Sequence, residues 1–322
     1  MELIGKLKIY RFMAKSKLFA SISLLLIISS IYLLATKGLN FGVDFVGGTI
    51  IQIKYVGEAP INKIRDLIET NEILAGGSVI EFGSSDEVVI RIRNSVSDLK
   101  NDLGDTVRET LKNSGEFEIR RVDMVGAKVG SELREKGISS LLFVFIAILI
   151  YVSIRFEWRF ALASIIALFH DLIIALGFLS FFSVEVNLDA LAAMLTLLGY
   201  SINDTIIVFD RIREGLVKYK GLALAPIVDE AVSRTLSRTT LTSLLTWFVV
   251  ATLFFFGGEI IYGFSFVLFI GIIVGTYSSI FIASPIVIWL KFSVEGYRKA
   301  LAEKEKREKE QQEMREMYGS PL

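Results

Sequence analysis

The sequence predicts a polytopic α-helical membrane protein with six transmembrane helices and one small α+β domain outside the bilayer. Three observations lead there. Hydrophobic residues fill 52% of the 322 positions and the mean hydropathy is +0.55, too apolar for an ordinary soluble domain. Six apolar stretches approach the roughly 20 residues needed to cross about 30 Å of hydrocarbon. The long polar stretch between the first two reads as β-α-β-β-α-β, the order of a ferredoxin-like split βαβ unit.

The first apolar stretch, 18–35, is longer than a signal-peptide core, and no small-x-small cleavage site follows it. It is read as the first span, so residues 1–36 form an N-terminal arm and a helix. The α+β domain occupies 37–136. Gly47 precedes and Gly48 opens its first strand, 48–56, and two adjacent glycines there predict positive φ or close approach of another backbone. A helix over 61–71 follows, with Pro60 suited to its first turn. Strands over 78–82 and 87–93 form a hairpin across Gly83-Ser84-Ser85-Asp86. An amphipathic helix over 98–112, weakened by Gly104, closes at Gly115, and a last strand covers 117–125. The domain holds no nucleophile–base pair and no metal-ligand spacing, which leaves a binding or lever domain, or a plain cap.

Spans two to six lie within 137–292, over 138–154, 160–182, 188–209, 239–256 and 260–290. The last is long enough to tilt or to extend past the bilayer. Residues 293–322 interleave Lys and Glu and predict a solvated helix or arm. Orientation follows from Lys and Arg in the short connections. Lys6, Lys8, Arg11, Lys15 and Lys17 precede the first span. Arg155 and Arg159 separate spans two and three, and Arg211, Arg213, Lys218, Lys220 and Arg234 separate spans four and five. The alternate connections, 183–189 and 257–259, carry only acids. Both termini are therefore expected in the cytoplasm and the α+β domain outside.

Composition removes several function classes. The formal net charge is zero, so there is no bulk electrostatic case for nucleic acid. Without cysteine there is no disulfide, thiolate catalyst or Cys-based metal site. His170 is the only histidine, which excludes a multi-His metal site within one chain. No cofactor is implied.

The chemistry sits on polar residues inside apolar spans. A charge at the centre of a spanning helix costs about 2.5–3.5 kcal/mol on insertion scales, so such a residue faces a partner helix or a wet cavity. Asp204 lies near the inner end of span four, where the cost is smaller but still opposes a lipid-facing acid. Thr196, Tyr200 and Asp204 recur at i, i+4 and i+8, with Asn203 extending the polar face. Arg238, Thr242 and Thr246 form a similar stripe in span five, where the threonines also suit bonding back to their own helix. Ala163, Ala167, Asp171 and Ala175 share a face of span three, putting Asp171 on a close-packing side as a structural acceptor or a functional acid. Its neighbour His170 points about 100° away and suits capping of a buried carbonyl. Gly271, Gly275, Ser279 and Ala283 make a small-xxx-small packing seam in span six.

These residues are also where the chain resembles a known family. Gly199-Tyr200-Ser201-Ile202-Asn203-Asp204-Thr205, followed by Val208-Phe209-Asp210-Arg211-Ile212-Arg213-Glu214, is similar to the signature of the bacterial SecF protein-export membrane proteins. Gly42-Val43-Asp44-Phe45-Val46-Gly47-Gly48-Thr49, Leu236-Ser237-Arg238-Thr239, Gly275-Thr276-Tyr277-Ser278-Ser279 and His170-Asp171 add to the resemblance, which covers roughly residues 17–290. Val46 departs from the pattern, which has Thr or Ser there.

The resemblance implies half of an RND-type transporter, completed by a separate six-span SecD. It implies a subunit of the bacterial inner membrane that assists the SecYEG translocon, with YajC and YidC as further companions. Its work would be to draw exported, unfolded polypeptides outward at a late, ATP-independent stage, driven by the proton-motive force. Asp204 would be the proton-linked acid and Arg238 its companion basic residue. The physics is compatible, since one proton moving down 100 mV yields about 2.3 kcal/mol. Three other readings compete. An intramembrane aspartyl protease would use Asp171 and Asp204, but the Gly-x-Gly-Asp motif of that class is absent. An RND-like small-molecule exporter would need large porter domains that one six-span unit lacks. A passive assembly subunit, in which Asp204 and Arg238 only hold helices together, stays open.

Overall fold

The computed structural model describes residues 9–93, 103–219 and 221–318. In chain order the elements are α1 (Ser16–Thr36), β1 (Asn40–Phe41), α2 (Val43–Val46), β2 (Gly48–Tyr55), α3 (Ile61–Glu69), β3 (Ser78–Phe82), β4 (Ser84–Ile92), α4 (Leu103–Thr110) and β5 (Phe117–Val125). Then come α5 (Ala127–Arg155), α6 (Trp158–Phe181), β6 (Glu185–Val186), α7 (Leu188–Lys218), α8 (Leu224–Phe256), α9 (Tyr262–Ser278), a π-helical segment (Ser279–Ala283), α10 (Ser284–Trp289) and α11 (Val294–Tyr318). Six of these helical stretches are long and apolar enough to cross a membrane: α1, α5, α6, α7, α8, and α9 continued through the π segment into α10.

The helices outrun the apolar stretches. Helix α5 begins at Ala127 rather than at 138, α7 continues to Lys218, and α8 starts at Leu224 rather than at 239. Hydrophobicity marks where lipid begins, whereas helical hydrogen bonding continues through the charged turns beyond it. Helix α11 is the charged tail. Its first turns dock on the bundle, where the Arg298 guanidinium donates to the carbonyls of Leu216 and Tyr219 and so serves the orphan acceptors ending α7.

The β2-α3-β3-β4-α4-β5 unit forms an antiparallel sheet in the order β3-β4-β2-β5, the ferredoxin-like arrangement. Alternation along β2 puts Ile51, Ile53 and Tyr55 inward, against Ile64 and Ile68 of α3 and Leu103 and Val107 of α4. The expected start of α4 at Asp98 lies outside the described residues. The hairpin differs from expectation. Only Gly83 lies between the two strands, and Ser84, Ser85 and Asp86, expected in the turn, begin β4. Gly83, with φ of 77°, makes the reversal, and Lys54 holds Asp86 and Glu87 at 3.3 and 3.2 Å across the ladder.

The membrane bundle is organised around α6, α7 and α9, while α1, α5 and α8 keep exposed apolar faces such as Leu24, Leu25, Phe143, Ile154, Phe255 and Phe256. Small residues set the close approaches. Ala163, Ala167, Asp171 and Ala175 are all buried on α6, and a Cβ at Gly177 would lie 2.8 Å from the Ser30 backbone of α1. The π segment precedes Pro285, which has no N–H to continue the α ladder, and Ser284 Oγ donates to Ser279 O at 2.8 Å instead.

The domain meets the bundle at a compact joint. Strand β1 pairs in parallel with β6, joining the exit of α1 to the α6–α7 connection. Asn187 Oδ1 caps α7 by accepting from Ala190 N at 2.9 Å, and Asp44 Oδ2 accepts from Leu188 N at 3.0 Å. Arg91 of β4 pairs with Glu185 at 3.2 Å.

Candidate functional site

Helix α7 delivers Asp204 into the packed interior. The side chain is 2% exposed, and its Oδ2 accepts from Ser243 Oγ of α8 at 3.2 Å. Thr276 Oγ1 of α9 lies 2.8 Å from Ser243 Oγ and 2.8 Å from Ile272 O, so its single hydrogen serves one acceptor at a time. Three helices thus meet at one carboxylate through a chain of hydroxyls. Among the described residues no lysine or arginine pairs with Asp204.

The other residues of the predicted polar face do not join it. Thr196 is exposed and bonds back to Ala192 O at 2.8 Å. Asn203 is exposed, and Tyr200 is half-buried without a side-chain hydrogen bond among the described residues. Acid, amide and phenol therefore do not converge; only Asp204 turns inward. Neighbours on a helix diverge by about 100°, enough to send Asn203 outward.

The span-five stripe is likewise displaced. Arg238 and Thr242 are exposed, and Arg238 makes no ion pair among the described residues. Thr242 bonds back to the carbonyls of Arg238 and Thr239, each at 3.0 Å, and Thr246 to that of Thr242 at 2.9 Å. The buried stripe of α8 is instead Thr235, Thr239 and Ser243, spaced i, i+4, i+8. Among the described residues, Thr239 Oγ1 is sealed without a hydrogen-bond partner. Ser243 was missed because hydroxyl spacing on α8 alone gives two equivalent stripes, and only packing chooses between them; Thr276 stood in the family-like motif of span six without a predicted contact.

On α6 the second acid, Asp171, is 0% exposed. His170 does not diverge from it to cap a carbonyl: His170 Nδ1 lies 2.8 Å from Asp171 Oδ1. Rotation about the side-chain bonds closes the gap that helix geometry opens. Ser201 Oγ of α7 and Ser278 Oγ of α9 donate to Asp171 Oδ2 at 2.5 and 2.9 Å. The span-six seam explains the closeness: a Cβ on Gly271 would lie 2.5 Å from Leu197, and one on Gly275 would lie 3.1 Å from Ser201.

At the other predicted motif, Gly47 and Gly48 have φ of 84° and 147°. A Cβ on Gly47 would lie 2.7 Å from Ala127 Cα, and one on Gly48 would overlap Ile92 O. The pair lets the chain leave α2 and enter β2 against two other backbones.

Residues 106–293 match the family described as protein export membrane protein SecD/SecF, C-terminal, and residues 32–58 match the SecD/SecF GG motif. The chain is 47% identical over 318 residues to the protein translocase subunit SecF of Helicobacter pylori strain J99, covering 99% of this chain and 98% of that protein. It is 48% identical over 296 residues to the protein translocase subunit SecF of Calditerrivibrio nitroreducens, covering 90% and 97%. The solved structure of SecDF, a translocon-associated membrane protein from Thermus thermophilus, superposes with a TM-score of 0.78 at 31% identity. That match covers 90% of this chain and only 40% of the solved chain.

Proposed function

Because this chain belongs to the SecF family of SecD/SecF protein-export membrane proteins, we propose that it is the SecF half of a SecD–SecF pair that uses the proton-motive force to assist late-stage export through the SecYEG translocon. The pairing with SecD is supported by the solved SecDF chain, of which this chain matches 40%. The proposal places both termini in the cytoplasm and the 37–136 domain outside the inner membrane. YajC and YidC are proposed as further companions. No bond-making chemistry is assigned, and the protease reading has no support from the matched relatives, which are named translocase subunits.

The observation that carries the proposal is Asp204, a carboxylate sealed among α7, α8 and α9 and held by a hydroxyl rather than by a cation. A buried acid whose partners are neutral hydroxyls can gain or lose a proton without breaking an ion pair. Each change alters the acceptor that Ser243 sees and, through Ser243, the bond it shares with Thr276, and with these the contact between three helices. Helix α7 runs from this site to the joint where Asp44 and Asn187 hold its first turn beneath the α+β domain. A shift at Asp204 thereby has a rigid path to the domain. Arg238 is proposed to act from the exposed face of α8, where the SecD partner would supply the surroundings this single chain leaves open.

The test is Asp204→Asn, which keeps size and hydrogen bonding but removes titration. The variant should assemble with SecD yet lose the dependence of late export on the proton gradient. Normal assembly with gradient-dependent export retained would refute the proton-site assignment. Loss of assembly would favour the competing reading, a passive subunit in which Asp204 only holds helices together.

A further inference from the structure

A second ionisable pair is sealed inside the bundle. His170 and Asp171 are 3% and 0% exposed. Asp171 is bonded by the His170 imidazole, Ser201 and Ser278, and among the described residues no lysine or arginine touches it. The imidazole stacks on Tyr277 with ring centroids 6.2 Å apart. Tyr277 is held in turn by α1, donating its hydroxyl to Phe19 O at 2.7 Å with Ser23 Oγ at 2.9 Å. Among the described residues, His170 Nε2 is buried with no hydrogen-bond partner.

These contacts leave one open valence. With Nδ1–H donated to Asp171, Nε2 carries a lone pair and no described residue donates to it. The pair then holds one net negative charge among hydroxyls and an aromatic ring, an arrangement that burial penalises. A proton taken from the aqueous phase at Nε2 breaks no other bond. It turns imidazole and carboxylate into an imidazolium–carboxylate pair of zero net charge. We infer that His170 and Asp171 form a second proton-binding site, loaded at Nε2 and linked to Asp204 through one turn of α9.

The link is a run of four residues. A Cβ on Gly275 would lie 3.6 Å from Asp171 Oδ2, so the α9 backbone passes against this acid. Thr276 bonds Ser243, the partner of Asp204. Tyr277 stacks on the imidazole, and Ser278 bonds Asp171. Helix α7 offers a parallel link, since Ser201 and Asp204 lie one turn apart on it. The π-helical segment begins at the next residue, Ser279, and such segments are frequent where a helix must re-register at a functional site. The ionisable groups around the pair are few. Helix α9 presents Tyr277 and α7 presents Asp204. Helix α5 offers only the exposed Tyr151 between Lys136 and Arg155. Helix α1 presents serines, and the π segment and α10 carry no ionisable side chain.

The inference rests on the reading of Asp204 only for the linkage; proton binding at His170 stands by itself. Because His170 is the chain's one histidine, its imidazole can be followed without substitution. A chain labelled with 15N-histidine, assembled with an unlabelled SecD partner in lipid nanodiscs, would be titrated by NMR between about pH 5 and 8. The expected result is a change in imidazole protonation across that range, with a midpoint displaced in Asp204→Asn. An imidazole that keeps one protonation state throughout overturns the site. A titration with the same midpoint in wild type and Asp204→Asn overturns the linkage. The readout is protonation and not export, so failure here and failure of the export role of Asp204 register separately.

Discussion

Replacing Gly48 with alanine tests the joint between α1 and the α+β domain. Two separate costs apply. The φ of 147° lies where side chains are rarely tolerated, at a cost of about 1–3 kcal/mol. The new Cβ would also overlap Ile92 O and sit 3.1 Å from Arg93 Cα, both backbone atoms that no rotamer change can move. Forced overpacking of this kind adds about 1–3 kcal/mol. Together these reach about 2–6 kcal/mol, a large part of the roughly 5–15 kcal/mol that holds a typical domain folded. Two controls separate the costs. Gly76 has φ of 77° with nothing within 4 Å of where a Cβ would stand, so Gly76→Ala carries backbone strain alone, about 1–2 kcal/mol. Gly126 has φ of −65° and open space, so Gly126→Ala should be near neutral. The assay is thermal unfolding of the purified full-length chain, with limited proteolysis of membranes as a second reading. The order of stability should be Gly126→Ala, then Gly76→Ala, then Gly48→Ala. If Gly48→Ala unfolds no earlier than Gly76→Ala, the close backbone approach contributes nothing and the argument fails.

Ser243→Ala should remove the hydrogen bond to Asp204, worth about 1.5–3 kcal/mol if the carboxylate is charged, and so move the pH at which the proposed gradient-driven export is half-maximal; an unmoved profile would separate Ser243 from the acid. Gly271→Ala should lower thermal stability by about 1–3 kcal/mol, because its Cβ would meet Leu197 at 2.5 Å; the buried Leu197→Ala costs about 2–5 kcal/mol by itself, and the double variant should lose less than the sum, whereas additive losses would show that the two sites do not share the contact. The part-buried Arg91–Glu185 pair, its side chains 18% and 19% exposed, should show a coupling above the roughly 1 kcal/mol of surface pairs in a double-mutant cycle and keep most of it as salt is added; a smaller, salt-sensitive value would show that solvent screens the pair and that it is no strut of the joint. Cysteines at the exposed Ser84 and Gln311 should label from opposite sides of the membrane in intact cells, and labelling of both from one side would overturn the proposed orientation.

The six spans, the β-α-β-β-α-β order and the strand at 117–125 were legible in the amino-acid sequence, because they depend on local composition and on periods of 2 and 3.6 residues. Asp204 and Asp171 were legible too, since an acid within an apolar helix stands out wherever the helix faces. Rotation and contact were not. Helix α8 carries hydroxyls on two faces, and the stripe of Arg238, Thr242 and Thr246 reads as well as the buried one of Thr235, Thr239 and Ser243. Asn203 and Asp204 are equally polar neighbours, yet one is exposed and the other buried. In a helix that is apolar nearly all round, hydrophobicity does not say which side meets protein and which meets lipid. Steric fit does, through Gly271 against Leu197 and Gly275 against Ser201, and it brings Thr276, Ser278 and Tyr277 to the two acids. The pairing of His170 with Asp171 was hidden for a related reason. Helical spacing separates adjacent residues, and only the side-chain torsions selected by the surrounding packing bring the ring back to the carboxylate.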